Sequence, residues 1–169
     1  MRIIVSDSSC LIDLRKASLL DVFLRLPYEI LVPNTLFEDE LLRFSAAQKE
    51  LLLQGGLQVI DLPGESVLRA QTIVRAHARL SIHDGFAFAL AESRPGSILL
   101  TGDGDLRAAA ERHKIEVHGL LWVIDEIHGN GLASAEDLLA VLRSFQDDAT
   151  VRLPRRELTA AMKRYTTEE

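Results

Sequence analysis

The chain has 169 residues, 47% of them hydrophobic and 26% charged, with a formal net charge of −6. That is enough to bury a sizeable core in one globular domain, and the acidic balance argues against a passive nucleic-acid binder resting on a basic footprint. The single cysteine, Cys10, excludes an intrachain disulfide or a cysteine-rich zinc site, and no apolar run is long enough to span a bilayer.

The opening residues reach a carboxylate at Asp7 with no apolar stretch of signal-peptide length, so the expected location is the cytoplasm, with no membrane partner. Residues 2–6 are rich in β-branched side chains and predict a buried strand. Asp7-Ser8-Ser9 follows, and a helical turn begins near Cys10. Residues 19–24 continue a helical pattern until Pro27. Residues 29–32 predict a second strand, closed by Pro33. Asn34 or Thr35 can cap the next helix, whose apolar side is Leu36, Phe37, Leu41 and Phe44. A short helix over 46–54 and a strand over 57–62 come next, then a helix over 65–78. The remaining elements are a helix from near Ile82, a strand over 97–101, a helix over 106–113 and an edge strand over 115–118. Amphipathic helices over 120–128 and 136–145 lead to a polar helical tail beyond Pro154.

Strands alternating with helices of about ten residues predict an α/β fold around a central parallel sheet of about four to five strands. A single domain over 1–169 is expected, with its core over about 1–120 and a helical C-terminal extension over about 120–169. The tail carries Arg152, Arg155, Arg156, Lys163 and Arg164, which form either a phosphate-facing patch or a solvated face.

The stretch from Ser81 to Asp105 gathers the acids that suggest chemistry. Asp84 stands three residues after Ser81, a spacing close to a capping box, while Thr101-Gly102-Asp103-Gly104-Asp105 forms an acidic glycine turn. Asp7 and Asp103 both follow strands, and ligands in parallel sheets lie beyond the carboxyl ends of strands. Each acid also has a structural use as a helix cap. Mg²⁺ and Mn²⁺ prefer hard oxygen ligands, however, and several carboxylates at converging element ends are what such an ion needs. In Glu38-Asp39-Glu40, a helical period places Glu40 inside the apolar stripe and turns Glu38 and Asp39 away. A carboxylate on a buried stripe costs several kcal/mol or so unless paired or metal-bound. His77, His83, His113, His118 and His128 show no metal-ligand spacing, and of these only His83 adjoins an acid of interest.

The order V-S-D-S-S-C-L-I-D-L, V-P-N-T-L-F-E-D-E-L, S-I-H-D-G-F-A-F-A-L-A and L-L-T-G-D-G-D-L-R resembles a PIN domain over about residues 1–120. The resemblance implies a PIN-like α/β fold and a divalent-metal-dependent ribonuclease that uses Mg²⁺ or Mn²⁺ to hydrolyse RNA phosphodiester bonds. It places the family's acids on Asp7, Asp84, Asp103 and Asp105. Its glutamate falls on Glu40 by the helical-face argument, on Asp39 by gapless comparison, with Glu38 a third choice. Asp7, Asp84 and Asp103 would be the principal ligands, and Ser8 or Ser9 would orient Asp7. Many small members are VapC-type toxins, so the resemblance also implies an antitoxin protein partner and a homodimer. Ser9 stands where asparagine is common, and the chain continues past the usual end. The alternative is a catalytically silent PIN-fold protein that binds RNA or protein, with the stripes at 120–122 and 138–142 exposed as an interface.

Overall fold

Successive residues of a strand point to opposite faces of its sheet, and here both faces meet apolar cores. The computed structural model describes residues 1–167, so residues 168–169 at the end of the expected extension lie outside the described residues. The strands are β1 (Arg2–Ser6), β2 (Tyr28–Pro33), β3 (Gln58–Ile60), β4 (Ile98–Leu100) and β5 (Glu116–His118). They form one parallel sheet in the order β3-β2-β1-β4-β5. Helices α1 (Ser8–Lys16) and α2 (Leu20–Leu24) follow β1, while α3 (Asn34–Asp39) and α4 (Ala46–Gln54) follow β2. Between β3 and β4 lie α5 (Gly64–Ala76) and α6 (Ile82–Glu92), and α7 (Gly104–Arg112) joins β4 to β5. The chain then continues through α8 (Leu120–Gly129), α9 (Ala135–Asp147) and α10 (Arg155–Thr167). This is the expected α/β architecture with a helical C-terminal extension.

From central β1 the chain moves outward to β2 and β3, then returns to lay β4 against the other side of β1. In register, Ile4 faces Ile98 and Ser6 faces Leu100. Where strand order reverses in this way, the connections after the two strands leave in opposite directions and open a crevice at their carboxyl ends. Asp7 and Asp103 sit at that crevice.

On one face Ile4, Ile30, Val32, Ile98 and Leu100 pack against α1–α4 and α8–α10. On the other, Val5, Leu31 and Leu99 pack against α5, α6 and α7. Phe23 and Phe88, each fully buried, anchor the two cores and contribute roughly 1.5–3 kcal/mol apiece. The extension belongs to the first core: Leu120, Leu138, Leu142, Leu158 and Tyr165 are buried in it. Of the stripes that would serve the alternative binding module as an exposed interface, Leu120, Leu138, Leu139 and Leu142 are therefore interior, while Leu121, Trp122 and Val141 are partly covered. Among the described residues no helix is long and apolar enough to cross a membrane.

One helix departs from expectation. The helix after Pro33 ends at Asp39 rather than continuing to Phe44, and Glu40 is its C-terminal cap. Leu41 and Phe44 are still buried, but through a following turn in which Phe44 N donates to the Leu41 carbonyl at 3.2 Å.

Candidate functional site

Asp7 is the first residue beyond β1, and its backbone N–H donates to Leu100 of β4 at 3.0 Å, extending the strand pairing by one residue. Its side chain is buried and every oxygen is held. Oδ1 accepts from Ser9 Oγ at 2.7 Å and from Cys10 N at 3.3 Å, which caps α1, while Oδ2 accepts from the Thr101 hydroxyl. Ser9 Oγ also accepts from Gly102 N at 3.1 Å, and Thr101 Oγ1 accepts from Asp103 N at 3.0 Å. Two hydroxyls thus tie the start of α1 to the turn after β4, with the Asp7 carboxylate between them.

Asp84 and Asp103 are also caps. Asp84 forms a reciprocal capping box with Ser81 at the start of α6, its Oδ2 accepting from Ser81 N at 2.8 Å. Asp103 caps α7, with Oδ1 accepting from Asp105 N at 2.9 Å and Leu106 N at 3.0 Å. The Ser81 hydroxyl adds a side-chain bond to the Asp84 carboxylate, while Asp103 does its capping through Oδ1 alone. Capping and ligation are therefore compatible uses of one carboxylate. Glu40, half-buried at the end of α3, takes a hydrogen bond from Ser8.

These acids sense one another. Burial pushes the Asp7 carboxyl up from 3.8 to about 6, against the hydrogen bonds from Thr101, Ser9 and Cys10, and Asp84 adds to the rise. Asp84 is raised by burial and by Asp103. Glu40 is raised by burial and by Asp84, with His83 opposing. Asp7, Glu40, Asp84 and Asp103 thus form one repulsive set, and no described Lys or Arg makes an ion pair with any of them. Among the described residues no three His, Cys, Asp or Glu side chains already stand in a ligating cluster. An Mg²⁺-like ion needs only one or two carboxylates besides water. An all-oxygen donor set short of positive charge fits a hard divalent cation and does not suit a soft one.

The other candidate acids are more exposed, although Asp39 adds to the rise at Glu40 and Asp105 N bonds Asp103. Asp105 is exposed and lines a separate hollow with His77, Arg79 and Arg112. Glu38 and Asp39 are exposed, and Asp39 Oδ2 is 3.7 Å from His83 Nε2. The His83 ring packs edge-on against Phe86 and is mostly covered, with Nδ1 buried and without a hydrogen-bond partner among the described residues. Ser9 orients Asp7, whereas Ser8 serves Glu40. Sequence reasoning missed the role of Thr101; the signal available was a hydroxyl ending an apolar strand directly before an acidic turn.

A family model described as a PIN domain (DUF3368) matches residues 3–167. No curated protein matches the chain.

Proposed function

The chain belongs to the PIN-domain family, a nuclease-type fold, and on that premise we propose that it is a divalent-metal-dependent endoribonuclease. Its acidic centre is Asp7, Glu40, Asp84 and Asp103, and its substrate is RNA. The observation that supports this reading best is electrostatic. Burial raises the proton affinity of Asp7, Glu40 and Asp84, Asp84 adds to the rise at Asp7 and Glu40 and Asp103 to that at Asp84, and no Lys or Arg among the described residues forms an ion pair with any of the four.

When bound, Mg²⁺ or Mn²⁺ supplies Lewis acidity toward a phosphate and a water. Asp7, Asp84 and Asp103 would hold the ion, one or two of them directly and the rest through its waters. Ser9 and Thr101 fix the Asp7 carboxylate so that it need not reorganise on binding. Glu40, half-buried with raised proton affinity, is suited to accept the proton of the attacking water, because a general base works best with its pKa moved toward the operating pH. Asp105, exposed on α7, would at most hold an outer water.

The direct test compares wild type with Asp7→Asn and Asp84→Asn on single-stranded RNA in the presence of Mn²⁺ or Mg²⁺. Each substitution is expected to lower cleavage by at least about 100-fold, about 3 kcal/mol of barrier. Equal cleavage by all three proteins sinks the reading. The finer proposal is a cytoplasmic, VapC-like toxin that acts as a homodimer and is silenced by an antitoxin. Expression of the wild type should then arrest bacterial growth where Asp7→Asn does not, and equal growth would remove the toxin role while leaving the nuclease intact.

A further inference from the structure

Beside the acids, rather than over them, lies a hollow of about 400 Å³, within the ~300–1,000 Å³ range of small-molecule-sized sites. One wall is the turn after β4 and the start of α8. The other is the segment leading into α10, including Arg152, Leu153 and Pro154. A second hollow, of about 210 Å³, reaches Ser9 and Asp103. Gly102, Asp13 and Arg152 line both, so the two form one groove leading from the acidic centre along the C-terminal extension.

The groove holds two kinds of group outside the acidic centre, guanidinium and aromatic, of which His118 also meets Glu116, Nε2 to Oε1, at 3.1 Å. Arg107 and Arg152 make no ion pair with any described residue. A Cβ at position 119 would meet Arg107 Nη2 at 3.1 Å and the Thr101 carbonyl at 3.3 Å, so Gly119 leaves room for the guanidinium against the strand end. His118 and Trp122 stack face to face, centroids 4.5 Å apart and planes within 7°, and Tyr28 backs Trp122 at 5.7 Å. Asp13 and Glu157 also line the hollow, so charge alone does not make it a polyanion site. Free guanidinium groups beside an aromatic stack match the alternation of phosphate and base in an unpaired strand.

We propose that the C-terminal extension forms one wall of a single-stranded RNA path, in which Arg107 and Arg152 contact phosphates flanking the scissile bond and the His118–Trp122 stack receives a base. The choice of RNA rests on the nuclease reading; the groove itself rests on the geometry. Polar contacts hold the extension against the rest of the fold. Lys16 of α1 bonds the Thr150 hydroxyl and lies 3.8 Å from Asp148, and within the extension the Tyr165 hydroxyl ties α10 to α8 by donating to Asp125 at 2.7 Å.

Trp122 is the only tryptophan of the chain and reports directly on the path. The full chain, in chelator, is titrated with an oligouridine RNA, following tryptophan emission and RNA anisotropy at several salt concentrations. Bound RNA should quench the emission. Arg107→Ala and Arg152→Ala should each weaken binding about tenfold and flatten the slope of log K against log salt by roughly 0.7. Arg94→Ala, exposed beside the amino end of β4, should change neither. Unquenched emission at saturation, or equal losses from Arg94→Ala, overturns the proposal. Trp122→Phe, which keeps a ring in the stack, should bind within about threefold of wild type by anisotropy, and a loss as large as that of Arg152→Ala would also count against it. Metal-dependent cleavage without quenching would retain the nuclease and discard the path. Quenching that needs both arginines, without cleavage in any divalent metal, would retain the path and discard the nuclease.

Discussion

Thr101 holds Asp7 across 94 positions of sequence, because the pairing of β1 with β4 brings the two strand ends together. Its hydroxyl bond, with those of Ser9 and Cys10, pulls the Asp7 carboxyl down against the larger effect of burial. Thr101→Val keeps the shape and removes the bond, so the Asp7 pKa must rise above about 6. If the ionised carboxylate is the working form, the acidic limb of the pH–kcat/KM profile moves to higher pH. Activity at neutral pH falls by about 10–100-fold, as for lost outer-shell support of a ligand. An unmoved limb with an unchanged rate would show that Thr101 is structural only. Asp7 and Asp103 could be placed beyond strand ends from sequence, because apolar runs ending in an acid are local patterns. The Thr101 bond could not, because a contact between strands depends on sheet order, which no local pattern carries.

Helices α1 and α7 are capped by Asp7 and Asp103, and Asp84 closes the capping box of α6, so the elements that carry the acids are also stabilised by them. The position of Asp84 depends further on how closely α6 approaches α5. At the next residue, Gly85, a Cβ would lie 2.9 Å from the Ala70 carbonyl and 2.8 Å from Val74 Cγ2. A backbone carbonyl cannot swing aside as a side-chain tip can, so the helices must separate. Gly85→Ala is expected to cost about 1–3 kcal/mol in chemical denaturation, as overpacking does, even though alanine is the better helix former. A neutral or stabilising result would mean that the two helices slide freely. Helix boundaries were legible where a cap or proline marked them: the 46–54 helix and the Ser81 start appear as expected. The end of α3 was not, because Leu41 and Phe44 are buried whether the chain stays helical or turns, and apolar periodicity is the same in both cases. Glu40 nonetheless arrives half-buried, as a helix cap rather than as part of a stripe. The tail after Pro154 read as polar, yet Leu158, Ala161 and Tyr165 recur at helical spacing and are buried.

Across the whole molecule, an excess of buried acid makes metal-free stability fall as pH rises. Asp7 and Asp13 are raised by burial from 3.8 to about 6, and Glu40 and Asp84 are raised by the same cause. A raised carboxyl binds its proton in the folded chain where the unfolded chain releases it. The stability it contributes is therefore present below the unfolded value and is lost as pH climbs through the folded one. For Asp7, fully buried, the loss is on the order of 3 kcal/mol by neutral pH. Glu92 and Glu116 are lowered by hydrogen bonds from Arg69 and Arg2, respectively, and act in the opposite sense, but below about 4.5, so they leave the window from about 4.5 to 6 to the raised acids. In chelator, Tm should fall between about pH 5 and pH 7.5, and a divalent ion that binds only the ionised acids should restore it most at the higher pH. Asp7→Asn removes the most deeply buried contributor. Its metal-free Tm at neutral pH should exceed that of wild type by up to about 6–12 °C, taking roughly 2–4 °C per kcal/mol. The gain is trimmed because Asn has one acceptor oxygen to offer the donors around it. The same substitution should abolish the rise in Tm on adding Mn²⁺. A wild-type Tm that is flat or increasing over this range in chelator, or an Asp7→Asn protein that responds to Mn²⁺ as wild type does, would mean that the acids do not share one site.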